Sequence, residues 1–141
     1  MNIYFSCSIT GGRRDQPIYQ AIVAHLNAAG HQIPTAHLAQ ADVHQLEAFE
    51  TAAEVFERDV NWVRDCDALI AEVSTPSHGV GYEVALAVTL AKPVLCCYRR
   101  GASVSKMLLG NNSPGYMIDS YETGAQALVL VNNFLAACNG K

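Results

Sequence analysis

The chain has 141 residues, half of them hydrophobic and 16% charged, with a formal net charge of -4 and a mean hydropathy of +0.12. That length suits one domain over residues 1–141 with a core of its own, and the hydropathy excludes a disordered chain. The acidity excludes a protein held on nucleic acid or anionic lipid by a broad basic surface.

Ile3-Tyr4-Phe5-Ser6-Cys7 is a β-prone run that stops at a polar, glycine-bearing loop, Ser8 to Asp15. Pro17 suits the first turn of a helix in which Ile18, Ala21, Ile22, Leu26 and Ala29 recur at helical spacing, and Gly30 is placed to end it. A weaker strand is predicted over Gln32 to Thr35, and the polar connection from Asp42 to Gln45 has no assignable pattern. Phe49, Ala52, Ala53, Phe56, Val60 and Val63 then form an apolar stripe that predicts a helix, with Glu50, Glu54, Glu57 and Arg64 away from its buried face. Asp59 falls at the edge of that face. Eight of the thirteen acids lie between Glu47 and Glu72, where Arg58 and Arg64 are the only bases.

Ala68 to Val73 reads as a central parallel strand covered on both sides. The loop from Ser74 to Gly81 opens a helix at Tyr82 and Glu83, Pro93 follows it, and Val94 to Tyr98 reads as another buried strand. Arg99, Arg100 and Gly101 lead to an apolar turn at Met107 and Leu108, a short strand at Tyr116 to Ile118 and a closing helix from Gly124 to Cys138. This alternation predicts the α/β class: a single doubly wound domain with a central, mainly parallel five-stranded sheet, flavodoxin-like or Rossmann-like, flanked by helices. Such sheets bind ligands at the strand carboxyl ends, beside the switch in strand order.

No run approaches the roughly 20 apolar residues of a membrane span, and the first residues lack a basic and a long apolar region. The expectation is a cytoplasmic protein with no membrane partner. The five cysteines form no C-x-x-C pair, and their odd number suits reduced thiols. No histidine pairs with them at zinc-finger spacing, so no metal is expected.

The first loop places Ser8, Thr10, Gly11 and Gly12 before a helix N-terminus, the make-up of an anion cradle. It lacks the G-x-x-x-x-G-K-[ST] and G-x-G-x-x-G patterns, and a tight turn that needs glycine accounts for it equally. In the second loop Ser77, Gly79 and Gly81 offer a hydroxyl and exposed backbone, with Glu83 in the first turn of the next helix. Glu83 is either an ionised carboxylate beside an anion cradle or simply a good first-turn residue. Asp59 is either its partner in a carboxylate pair, or the salt-bridge partner of Arg58 or Arg64, or a capping contact with a loop. His78 is assigned no role, Cys96 and Cys97 read as core, no histidine partner for a nucleophilic Cys7 is identifiable in the sequence, and Trp62 reads as packing on the helix flank.

Tyr4-Phe5 leading into Ser8-Ile9-Thr10-Gly11-Gly12-Arg13, Asp59 followed by Trp62, and above all Ala71-Glu72-Val73-Ser74 running through Pro76, Ser77 and Gly79 to Gly81-Tyr82-Glu83 carry a resemblance. From Tyr4 to about Leu109 the chain resembles the 2'-deoxynucleoside 5'-phosphate N-hydrolases of the nucleoside 2-deoxyribosyltransferase superfamily. The resemblance implies cleavage of a deoxynucleoside monophosphate to free base and 2-deoxyribose 5-phosphate, without metal or organic cofactor. It makes Glu83 the nucleophile, Asp59 the acid that assists departure of the base, and Tyr4 the phenol that orients Glu83. It puts Ser8, Gly11, Ser77 and Gly79 on phosphate, with Ser105 reaching the phosphate from the neighbouring subunit of a homodimer. Ile9 fits an apolar wall against the sugar 2' position. Cys7 stands where members often have glycine and Thr10 where some have arginine, leaving Arg13 as a replacement phosphate contact. The partner implied is a small-molecule nucleotide, not a nucleic acid. Two other functions stay open: a deoxyribosyltransferase that passes the sugar to another base, and a module that binds nucleotides without turnover.

Overall fold

Four short apolar runs assemble into one parallel sheet in the computed structural model, which describes residues 1–9, 11, 12, 14–40 and 49–140. Thr10, Arg13 and the connection from Asp42 to Gln45 lie outside the described residues. The strands are β1 (Ile3–Ser6), β2 (Ala68–Glu72), β3 (Val94–Arg99) and β4 (Tyr116–Tyr121), ordered β1-β2-β3-β4. Ile3 pairs with Ala68, Leu69 with Val94, and Val94 with Tyr116. The helices are α1 (Gln16–Ala28), α2 (Ala52–Asp65), α3 (His78–Thr89), the short α4 (Lys106–Leu109) and α5 (Gly124–Asn139), with a 3-10 turn at Ala36–Ala39. None among the described residues is long and apolar enough to cross a membrane.

Because successive strand residues point to opposite faces, the sheet separates two cores. Ile3, Phe5, Ile70 and Leu95 pack against Tyr19, Ile22 and Leu26 of α1 and Val131 and Phe134 of α5. On the other face Tyr4, Leu69, Ala71 and Cys96 meet Val63 of α2 and Val80, Val84 and Ala87 of α3.

The described sheet has four strands, not the expected five. The segment at Gln32 forms a single parallel bridge to Asn2, and the ladder goes no further. Pro34 has no N–H to donate, and the Phe5 N–H turns to the Thr35 side-chain oxygen at 2.9 Å. The bridge nevertheless lies outside β1 while β2 lies inside it, so the chain reverses its direction of travel across the sheet beside β1. That reversal puts the ligand-binding crevice at the carboxyl ends of β1 and β2.

Two helix starts differ from expectation. The helix at α2 begins after Thr51, not at Phe49. Thr51 Oγ1 accepts from the Glu54 N–H at 3.3 Å and the Thr51 N–H donates to Glu54 Oε2 at 2.8 Å, a capping box. The predicted buried stripe is buried only at Val60 and Val63, whereas Ala52, Ala53 and Phe56 remain exposed. In the second case α3 starts at His78, four residues before Tyr82, because Ser77 accepts from the Val80 N–H and caps the helix there.

One carboxylate is fully buried at the end of β2. Glu72 accepts hydrogen bonds from the Ser74 N–H, from Ser74 Oγ and, at 2.8 Å, from the Tyr121 hydroxyl. Burial raises its pKa above the ordinary glutamate value; the bonds from Ser74 and Tyr121 oppose this, and the charge of Asp15 adds to it. Folding therefore favours the protonated form, a contribution complete below about pH 4.3 and lost as pH rises through the elevated value. Glu72→Gln keeps an acceptor for Ser74 and Tyr121 and cannot ionise. At neutral pH its urea midpoint should exceed that of the wild type, and the gap should close below about pH 4.

Candidate active site

Alternation along β1 sends Tyr4 and Ser6 to one face, toward α3. Both are fully buried. Ser6 Oγ donates to Glu83 Oε2 at 2.5 Å. The Tyr4 phenol approaches the same carboxylate more loosely, without a hydrogen bond of standard geometry. Burial raises the Tyr4 pKa well above the usual phenol range, the negative charges of Glu83 and Asp59 raise it further, and Arg58 opposes them. The phenol is thus held protonated beside Glu83. Since α3 starts at His78, Glu83 lies in the second turn, beyond the strongest reach of the helix dipole. Direct contact with β1 holds this carboxylate instead.

Asp59 reaches the same place from α2. Its carboxylate accepts from Arg58 Nε at 2.9 Å and is 17% exposed. The salt bridge to Arg58 weighed from spacing is present, and the same residue shares a cleft with Glu83. Asp59 and Glu83 line a common cleft of about 520 Å³ between α2 and α3, walled by Val55, Phe56, Val60, Tyr82 and Leu86. The Phe56 and Tyr82 rings lie 6.0 Å apart and tilted at its mouth. An apolar slot that also carries Glu50, Asp59 and Glu83 suits a flat aromatic group whose bond to a sugar lies beside the carboxylates.

The other predicted residues divide between two places. Gly79 lines the carboxylate cleft, whereas Gly11, Ser77 and Ser105 line a second cavity of about 860 Å³ on the other side of the first turn of α3. Ser105 is exposed and caps α4, accepting from the Met107 N–H at 3.2 Å. Ser8 is fully buried, its hydroxyl beneath Gly11. Ile9 packs against the α1 and α5 core and is not part of the cleft wall. Arg13 is outside the described residues. Among the described residues no cluster of His, Cys, Asp and Glu could hold a metal ion. Cys7 is buried with its thiol toward the Leu38 carbonyl, so it serves as core.

The two loops are fixed to each other. A Cβ on Gly11 would sit 2.7 Å from Ser8 Oγ and closer still to the Pro76 carbonyl, so only glycine fits where the first loop meets the second. Behind them Asp15, nearly buried, accepts from Thr75 Oγ1 at 3.3 Å and from Arg99 Nε at 3.0 Å. The Arg99 N–H in turn donates to Ser74 Oγ at 2.7 Å. Loops from β1, β2 and β3 thus share one hydrogen-bonded knot.

Sequence reasoning missed Ser6, Arg58, Phe56 and Tyr82 as members of the site. Ser6 carried a signal, since it stands two residues from Tyr4 on a strand. Phe56 carried none, because a cleft wall and a core face have the same periodicity.

The sequence model of the family described as nucleoside 2-deoxyribosyltransferase matches residues 3–128. A Methanococcoides burtonii protein provisionally named 2'-deoxynucleoside 5'-phosphate N-hydrolase 1 is 42% identical over 111 residues, 79% of this chain and 91% of its own length. The 5-hydroxymethyl-dUMP N-hydrolase of Rattus norvegicus is 42% identical over 113 residues, 77% of this chain and 69% of the rat protein. Among solved structures, the Clostridium botulinum CMP N-glycosidase BcmB superposes with a TM-score of 0.72 over 94% of this chain and 99% of its own, at 14% identity.

Gly11→Ala should drive the two loops apart. Overpacking of this kind costs about 1–3 kcal/mol, which a lowered urea midpoint would register; an unchanged midpoint would show that the loops are not locked at this point.

Proposed function

The chain belongs to the nucleoside 2-deoxyribosyltransferase family, and we propose that within it the chain is a hydrolase that cleaves the N-glycosidic bond of 2'-deoxynucleoside 5'-monophosphates. The observation that carries this is the shared cleft of Glu83 and Asp59, with Glu83 held by Ser6 and faced by Tyr4. The names of relatives covering most of the chain point the same way.

In this mechanism a Glu83 oxygen attacks C1' of the sugar as the C–N bond breaks, giving a glycosyl ester and a departing base. Positive charge builds on the sugar in the transition state, so the anionic Glu83 favours it over the ground state. Asp59 gives the base its proton and then takes one from the water that hydrolyses the ester, releasing 2-deoxyribose 5-phosphate. Ser6 and Tyr4 hold the attacking oxygen in line. Neither step calls for a metal or an organic cofactor.

The 5'-phosphate would sit at the first turn of α3, where Ser77 and Gly79 supply a hydroxyl and backbone amides. A homodimer that brings Ser105 of one copy to the phosphate of the other is part of the proposal. Met107, 83% exposed, and Leu109, 46% exposed, flank Ser105 and would be covered by such pairing.

Purified protein incubated with a panel of deoxynucleoside and ribonucleoside monophosphates should release free base from at least one deoxynucleotide, seen by chromatography. No release from any would refute the proposal. Added acceptor base should yield no new nucleotide, since its appearance would indicate transfer. Glu83→Ala should abolish release, Tyr4→Phe and Ser6→Ala should each lower kcat by about tenfold or more, and light scattering should give the mass of two chains.

A further inference from the structure

Arg58 stands next to Asp59 in sequence and belongs to no step of the mechanism above, yet it bonds to two of the carboxylates that line the cleft. Its Nε donates to Asp59 Oδ1 at 2.9 Å, and its Nη1 donates to Glu50 at 2.6 Å and 2.5 Å from the two carboxylate oxygens. The guanidinium carbon lies 4.9 Å from the centre of the Trp62 ring, and that ring is met edge-on by His37 at 6.0 Å. A planar cation fixed against an aromatic face and holding two carboxylates has little rotational freedom left.

The surroundings are crowded with negative charge. Glu50, Asp59 and Glu83 all line the one cleft. Among the contacts of Arg58 are Glu50, Asp59 and Trp62 from α2 and its lead-in, its charge is felt at Tyr4 of β1, and the Trp62 ring is met in turn by His37 of the 3-10 turn. Partial burial alone would lower the Arg58 pKa, but the hydrogen bonds and charges of Asp59 and Glu50 reverse that and raise it. The guanidinium is therefore a permanent cation among groups that titrate.

We propose that Arg58 is a positioning residue for the reaction: with Glu50 as its second anchor, it fixes the carboxylate of Asp59 in the cleft that Asp59 shares with Glu83. Replacing Arg58 by a neutral side chain frees the Asp59 carboxylate to rotate, which slows proton transfer without weakening substrate binding, and replacing Glu50 removes one of the two anchors of the fork. A residue that only braced the helix would change the amount of folded protein and leave kcat per folded molecule and KM where they were. This inference rests on the hydrolase function proposed above.

The test is kcat and KM for base release by the wild type, Arg58→Gln, Arg58→Lys and Glu50→Gln, each checked by circular dichroism. Arg58→Gln should lower kcat by about tenfold or more while KM stays within about twofold. Arg58→Lys, which keeps the charge without the fork, should recover only part of kcat. Glu50→Gln should lower kcat by a smaller factor, again with KM little changed. A folded Arg58→Gln with the wild-type kcat, or one whose loss lies in KM, overturns the inference alone. If Arg58→Gln fails to fold, Glu50→Gln decides: a lower kcat at unchanged KM supports the inference, and an unchanged kcat overturns it. Wild-type protein that releases no base overturns the hydrolase function and this inference with it.

Discussion

The hydrogen bond from Ser6 to Glu83 joins the sheet to the helix layer, and the rest of the site is arranged around it. It is buried at the Ser6 end and its acceptor is a carboxylate. A bond of this charge-assisted kind contributes roughly 1.5–3 kcal/mol, and losing it would leave a polar group desolvated without a partner. For it to form, β1 must end opposite Ala71 of β2, and the chain must turn from Glu72 into a helix capped at Ser77. Strand register and helix start are thereby tied to the position of one oxygen atom.

That position is supported from the other side of the sheet. Glu72, Ser74 and Tyr121 form a closed polar group under the second loop, while Asp15, Thr75 and Arg99 connect it to the first. Gly11 against the Pro76 carbonyl leaves no slack between them. Groups held in this way need not reorganise when charge develops beside them, which is the main advantage of a folded site over water.

How much of this was legible follows from what each pattern encodes. The apolar runs at Ile3, Ala68 and Val94 announced strands, because only a sheet covered on both faces buries such runs. The strand at Gln32 did not form, and the cause was visible in Pro34. Spacing placed Asp59 at the edge of a buried face and Glu83 near a helix start, but their meeting depends on two helices packing on the same side of the sheet, which no local pattern specifies. The stripe through Phe49, Phe56 and Val60 reported amphipathicity correctly without saying what would cover it. Only its last turns met the sheet. The pairing of Arg58 with both Glu50 and Asp59 is a matter of side-chain rotamers, and its neighbours in sequence offered two other ways to satisfy it.

The unburied first half of α2 separates two demands that usually fall on the same residues. Ala52, Val55 and Phe56 shape the cleft but belong to neither core, so exchanging them sacrifices little of the apolar burial on which folding depends. Glu83 and Ser6, by contrast, are bound into strand and helix contacts that tolerate almost nothing. A lineage built on this scaffold can therefore drift in which aromatic group it accepts while its bond-breaking chemistry stays fixed, accumulating new preferences one substitution at a time without first acquiring surplus stability.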